Sequence, residues 1–197
     1  MFAGIDIAPY WRVLPPNAPD TAPRGERMRT LRLVQSEAFG LGTHPTTQLC
    51  MLALGAFHAQ GFHPAHVLDF GAGTGILSVA AATLGARAEA IEIDPLAIID
   101  AKRNAALNGV GEKVTCRETL SEPARSFELV FANILSVILL HYAAPLCARV
   151  SLQGRLVLSG LVATDVPSLR ARYAPLLPAR RAQVYERGEW RALVFAP

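Results

Sequence analysis

The sequence predicts one α/β domain built on a mostly parallel sheet, covered by helices on both faces, with one antiparallel strand near its edge. Three observations carry this expectation. Strand and helix patterns alternate from residue 67 onward. The strand segments are near-continuous apolar runs, as in sheets buried on both faces. The last two, Gln183 to Glu186 and Trp190 to Phe195, are separated only by Arg187-Gly188-Glu189, which is enough for a hairpin and too short for a parallel crossover. At 197 residues the chain can bury a full core as one domain.

Residues 1–37 are expected to form an N-terminal extension, and residues 38–197 the main domain. Tyr10 to Leu14 and Thr30 to Gln35 read as strands, the second from Leu31 and Leu33 alternating with Arg32, and together they suggest a short ribbon. Pro15, Pro16, Pro19 and Pro23 remove backbone donors, so residues 15–25 read as an exposed connection. Within the loop Ala38 to Thr47, the stretch Phe39 to Pro45, hinged by Gly40 and Gly42, is the expected lid over a ligand, with a plain connector as the alternative use. Pro45 suits a first helical turn with Thr43 as its expected cap. Leu49, Leu52, Ala53, Ala56 and Phe57 then form one apolar helical stripe, and Gly61 closes the helix.

The main alternation begins with a strand over Val67 to Phe70 and a helix over Ile76 to Leu84. Arg87 to Glu92 is the next strand, and Asp94-Pro95 opens a helix with a capping acid ahead of a proline. Ile98, Ala101, Ala105 and Asn108 mark its inner line, and Gly109 stops it. Lys113 to Arg117 and Phe127 to Ala132 are further strands; Ile134 to Val150 reads as helical with a break at Pro145. Gly154 to Gly160 is a strand, and Thr164-Asp165 caps a helix running to about Leu177.

The sequence is organised around Asp69-Phe70-Gly71-Ala72-Gly73-Thr74-Gly75, an apolar strand running into three alternating glycines ahead of a helix. Such a turn lets the backbone approach a nucleotide without interference from Cβ. A dinucleotide fingerprint starting at Gly71 would need a glycine at position 76, which is Ile76. The observed spacing instead resembles the first motif of Rossmann-like S-adenosylmethionine (SAM) methyltransferases. Glu92 ends the following strand, where a carboxylate can accept both hydroxyls of an adenosine ribose. Two acids and no basic residue surround the loop, which suits a cationic sulfonium better than a phosphate.

Composition excludes several function classes. The longest strongly apolar run, Ile134 to Leu140, is far short of the roughly 18–20 residues that span a bilayer, so no membrane partner is expected. Asp6 and Arg12 interrupt any secretion-type start, and the three cysteines, widely spaced and without a Cys-x-x-Cys, read as reduced thiols of a cytoplasmic protein. The formal charge of +3 is spread along the chain; only Arg24 to Arg32 is locally basic and reads as a solvated face, so direct nucleic-acid binding is not expected. His58, His63 and His66 share no carboxylate or cysteine, and no metal is expected.

Four segments occur together in one order: Ala38-Phe39-Gly40-Leu41-Gly42-Thr43-His44-Pro45-Thr46-Thr47, Asp69 to Leu77, Glu92-Ile93-Asp94-Pro95-Leu96-Ala97 and Ala132-Asn133-Ile134-Leu135. With them the chain resembles the PrmA family, the methyltransferases of bacterial ribosomal protein L-eleven, from about Leu31 to the end, including Leu156 to Gly160 and Glu189-Trp190. The resemblance implies the seven-stranded class I SAM-dependent methyltransferase fold, SAM as cofactor with S-adenosylhomocysteine as product, and a protein substrate, the ribosomal one by inheritance. It places Thr47, Gly71, Glu92 and Asn133 at cofactor-binding positions; Asp69 and Gly73 belong to the glycine motif. Leu41 stands where the family usually has threonine, and Glu92 where it usually has aspartate. Family members also carry a small N-terminal recognition domain, and the stretch before Ala38 is too short for that domain and its linker, so the catalytic half is what this sequence is expected to comprise.

Methyl transfer from a sulfonium is an in-line displacement, and the protein has to align the nucleophile and exclude water. Asn133, ending its strand beside the crevice of an open α/β sheet, is the expected catalytic residue. Its carboxamide oxygen can accept from an amine, lysine or N-terminal, and aim the lone pair; capping the next helix is its alternative use. A lysine amine must become neutral first, which a dry, cation-containing pocket favours. Two other functions fit the same motifs: a non-catalytic SAM-binding subunit for a separate recognition protein, and a methyltransferase of another protein or a small molecule.

Overall fold

The computed structural model describes residues 3–21, 28–122 and 125–197. Residues 22–25 of the expected proline-rich connection, and residues 24–27 of the basic stretch, lie outside the described residues. The elements in chain order are β1 (Ile5–Ile7), β2 (Trp11–Leu14), β3 (Arg29–Arg32), α1 (Pro45–Ala59), β4 (His66–Phe70), α2 (Ile76–Thr83), β5 (Arg87–Ile91), α3 (Pro95–Leu107), β6 (Val114–Arg117), β7 (Phe127–Asn133), α4 (Ser136–His141), α5 (Ala143–Cys147), β8 (Val150–Val162), α6 (Val166–Tyr173), β9 (Arg181–Arg187) and β10 (Trp190–Ala196).

Seven strands form the main sheet in the order β6-β5-β4-β7-β8-β10-β9. Only β10 runs against its neighbours, pairing antiparallel with both β8 and β9, as the short hairpin requires. The chain winds outward from β4 to β6 and then returns to place β7 on the other side of β4. Strand order reverses there, so the crevice beyond the carboxyl ends of β4 and β7 is where an open α/β sheet binds ligands.

Side chains of the central strands alternate between two cores. Leu129 and Phe131 of β7 enter the core beneath α1 and α2 with Val67 and Val157. Val130 and Ala132 enter the core beneath α4 to α6 with Leu68, Leu156 and Leu158. The period of two, with both faces apolar, is the pattern of a doubly covered sheet.

Residues near the N terminus form a second sheet of three strands, in which β1 is antiparallel to β2 and β2 parallel to β3. The sequence reading had two of these strands; Ile5 and Ile7 flanking Asp6 are a three-residue alternation too short to stand out. This sheet covers the outer face of α1, which is therefore buried on more than the one stripe expected, Met51 and Leu54 included. Trp11 Nε1 donates to Met51 O at 2.7 Å, and the Tyr10 ring lies so close to Gly55 that a Cβ there would sit 2.3 Å from it. Gly55→Ala should therefore push Tyr10 off the helix and cost about 1–3 kcal/mol in denaturant unfolding, as overpacked cores do. An unchanged midpoint would show that the ring has room to move.

Three boundaries differ from expectation. The cap of α1 is His44, whose Nδ1 accepts from Thr46 N at 3.4 Å, because the residue before a proline is held extended and Pro45 is the first helical residue. The helical stretch after β7 breaks at Tyr142, while Pro145 sits in the first turn of α5, where a missing N–H costs nothing. Strand β8 starts at Val150, ahead of the expected Gly154.

Candidate active site

The carboxyl ends of β4, β5 and β7 open into a cavity of about 1040 Å³ lined by Gly71, Gly73, Glu92 and Asn133. Its floor is the glycine loop. Gly71 and Gly73 have φ of +77° and +54°. A Cβ on Gly71 would sit 2.3 Å from the Ile134 side chain, and one on Gly73 2.2 Å from Phe39 O. Both positions combine a left-handed backbone with a close approach, and only glycine meets both conditions.

Hydrogen bonds fix the loop on every side. Gly71 N and Ala72 N donate to Ile91 O, both at 2.9 Å. Thr74 N donates to Phe39 O at 2.9 Å, and Thr74 Oγ1 to Gly40 O at 2.6 Å. The segment expected as a hinged lid is thus anchored at Phe39 and Gly40, and its free part is the Phe39 side chain, 51% exposed. His44 packs edge-on between the Phe39 and Trp190 rings, at centroid distances of 5.2 and 4.7 Å.

Glu92 is held at the cavity wall by three backbone donors: Gly73 N on Oε2 at 2.8 Å, with Ile93 N and Asp94 N on Oε1 at 2.7 and 3.0 Å. These contacts orient the carboxylate without neutralising it, and a carboxylate has about four acceptor sites, so capacity remains for a hydroxyl. Glu37 and Asp94 add two more acids to the lining, and no lysine or arginine among the described residues lines it. The field therefore favours a cation.

Asn133 sits at the end of β7 with Nδ2 donating to Thr47 Oγ1 at 3.4 Å. Its Oδ1 is buried and has no partner among the described residues. An unpaired buried carbonyl oxygen costs about 1–3 kcal/mol. The capping role does not apply, since α4 begins at Ser136 with Leu135 at its cap.

Two of the six expected site residues do not line the cavity. Thr47 stands behind Asn133 and orients its amide. Asp69 is fully buried and turned away, accepting from Ser78 N at 3.0 Å and Ser78 Oγ at 2.8 Å, so it ties the end of β4 to the first turns of α2.

Burial pushes the Asp69 carboxyl up to about 6, against the two Ser78 hydrogen bonds, with the nearby negative charge of Glu92 adding to the rise. A carboxyl with a raised folded pKa stabilises the fold fully below its unfolded pKa near 3.8, and that contribution is lost as pH rises through about 6. Stability measured from pH 4 to pH 7 should therefore fall by on the order of 3 kcal/mol relative to Asp69→Asn. Parallel profiles for the two proteins would contradict this.

Sequence reasoning did not bring Trp190, Gly160 or Tyr142 to the site, yet all three line the cavity. Trp190 arrives through the antiparallel register of β10 on β8, where it faces Val162. Tyr142 packs at a tilt against Phe70, ring centroids 4.8 Å apart, from the helix break that the sequence misplaced. The three imagined metal ligands divide: His58 and His63 pair with each other at 2.9 Å, while His66 turns to Glu128.

The family profile described as ribosomal protein L11 methyltransferase (PrmA) matches residues 7–197. A ribosomal protein L11 methyltransferase of Xanthomonas euvesicatoria pv. vesicatoria is 39% identical over 175 residues, 88% of this chain and 56% of that protein. One of Cupriavidus necator is 42% identical over 176 residues, 88% of this chain and 54% of that protein. The chain thus spans little more than half the length of these curated relatives. Among solved structures, a ribosomal protein L11 methylase from Lactobacillus delbrueckii subsp. bulgaricus superposes with a TM-score of 0.85 at 29% identity, covering 99% of this chain and 98% of that one.

Proposed function

The chain belongs to the ribosomal protein L11 methyltransferase (PrmA) family, and we propose that it transfers a methyl group from SAM to a polypeptide amine, lysine or N-terminal, with ribosomal protein L11 as the acceptor. The supporting observation is Asn133, which lines the cavity with Glu92 and the glycine loop and whose buried Oδ1 has no partner among the described residues. The residues fit the cofactor: Glu92 would take the ribose hydroxyls, Gly71 and Gly73 leave space where any side chain would intrude, and the acidic lining tolerates a sulfonium. The volume is near the upper end of ordinary ligand pockets, roughly 300–1,000 Å³, with room for a nucleoside donor and an acceptor side chain.

When bound, SAM supplies an activated methyl carbon whose C–S bond breaks as the amine lone pair forms the new C–N bond, the sulfur keeping the electrons. Asn133 Oδ1 accepts an N–H of the neutral amine and points its lone pair at the carbon. Thr47 holds the amide in the orientation that leaves Oδ1 free. Phe39, His44 and Trp190 wall this end of the cavity and keep water out. The amine's proton leaves before transfer, since a second positive charge beside a sulfonium is disfavoured.

Two further parts belong to this proposal. Residues 1–37 act as an extension that braces α1 and α3 of the domain 38–197: Arg32 N and Val34 N donate to Asn108 Oδ1 and Asn104 Oδ1, both at 2.8 Å. The proposal sets the reaction in the cytoplasm, in keeping with the free thiols of Cys50, Cys116 and Cys147.

Labelled-methyl transfer to purified ribosomal protein L11 tests the reading. The wild type should label it, while Asn133→Ala and Glu92→Ala should not. Equal labelling by all three proteins would remove the proposal.

A further inference from the structure

We propose that the apolar rim on the Asn133 side of the cavity docks the polypeptide carrying the acceptor amine, through aliphatic side chains that flank that amine; this rests on the methyl-transfer reading above. Leu135 and Val137 are 66% and 67% exposed, and Ile138 and Phe39 are 38% and 51% exposed. All four line the cavity. Single exposed apolar residues are ordinary on a folded protein, whereas a group of them at one cavity mouth marks a binding surface.

The fold does not require these side chains to be apolar. Helix α4 attaches to the core through Leu139, fully buried, and turns Val137 and Ile138 outward. Polar residues at those two outward positions would leave the core contact intact. Three of the four rim residues, Leu135, Val137 and Ile138, closely follow Asn133 in the chain, so the group that would hold the acceptor amine and most of the patch that would hold its carrier are built on one segment.

Charge completes the match. Glu37, Glu92 and Asp94 line the cavity with His44 and His141, and no lysine or arginine among the described residues does. A carrier presenting an amine between aliphatic residues is complementary to both features. A small free amine would use the acidic cavity and make little use of the rim. On the opposite side, Ile93 adjoins Glu92 and is left to the cofactor's half of the site.

The double variant Leu135→Ser/Val137→Ser, which removes apolar surface without adding charge, tests the inference, with ribosomal protein L11 and N-acetyl-lysine methylamide as acceptors. For the ribosomal protein KM should rise at least about tenfold with kcat little changed, as when central apolar contacts of an interface are lost. Transfer to the small amine and affinity for S-adenosylhomocysteine should stay at wild-type values. Leu152→Ser, at a residue still more exposed, on β8 and away from the cavity, should behave as wild type. An unchanged KM for the ribosomal protein, or equal losses with both acceptors, would overturn the docking role.

If the wild type transfers to neither acceptor, the functional reading fails on its own, and the rim is read by affinity. Binding of the ribosomal protein to chain saturated with S-adenosylhomocysteine should then weaken about tenfold in the double variant. Equal affinity, or no binding to the wild type, would overturn the proposal.

Discussion

Asn133→Ala should lower kcat for methyl transfer by about 100- to 1,000-fold, the usual loss when one preorganised polar group is removed from a reacting centre. The carboxamide has one end committed to Thr47 Oγ1 and the other buried without a partner, so truncation deletes the acceptor and leaves no stranded charge. Affinity for S-adenosylhomocysteine should change only a few-fold, because Glu92 and the glycine loop remain in place. Thr47→Val, nearly the same shape, frees the amide to turn over and should lower kcat about tenfold, less than deleting the oxygen outright. A Thr47→Val effect as large as that of Asn133→Ala would instead give the threonine its own contact with substrate.

Gly73→Ala should be the most damaging alanine substitution among the described glycines. Its Cβ would fall 2.2 Å from Phe39 O at a residue with φ of +54°, and a backbone carbonyl cannot swing aside as a flexible side chain can. Left-handed strain and the displaced Phe39 segment together should cost about 2–4 kcal/mol and lower Tm by about 5–15 °C for a chain of this size. Moving the loop also breaks the Gly73 N to Glu92 Oε2 contact, so affinity for S-adenosylhomocysteine should fall more than tenfold at temperatures where the variant is folded. Gly188→Ala is the comparison: its φ of +60° carries similar backbone strain, but nothing lies within 4 Å of an added Cβ. It should lose stability without losing affinity.

Much of this arrangement could be read from residue order. Alternation of apolar runs with capped helices placed β4 to β8, and the short connection before Trp190, Gly188-Glu189 in the structure, required the one antiparallel strand, because both signals are local in the chain. The glycine spacing and Glu92 marked the cavity for the same reason: a ligand loop must combine sharp turns with close approach, and glycine alone permits both. What escaped depends on tertiary placement. Asp69 looks from its position like a ligand group, yet alternation along β4 turns it inward to Ser78. Trp190 is adjacent in sequence only to a hairpin, and register on β8 carries it to the site. The second burial face of α1 depends on the small sheet, whose β2 and β3 pair in parallel across a long connection.

Calorimetric titration of S-adenosylhomocysteine into the wild type and Glu92→Gln tests the cofactor site most directly. The wild type should give saturable 1:1 binding and no heat with NADH; the variant, which keeps the shape but loses the charged acceptor for ribose hydroxyls, should bind at least about tenfold more weakly. Equal affinity in the two proteins, or preference for NADH, would contradict a sulfonium-donor site gripped at position 92.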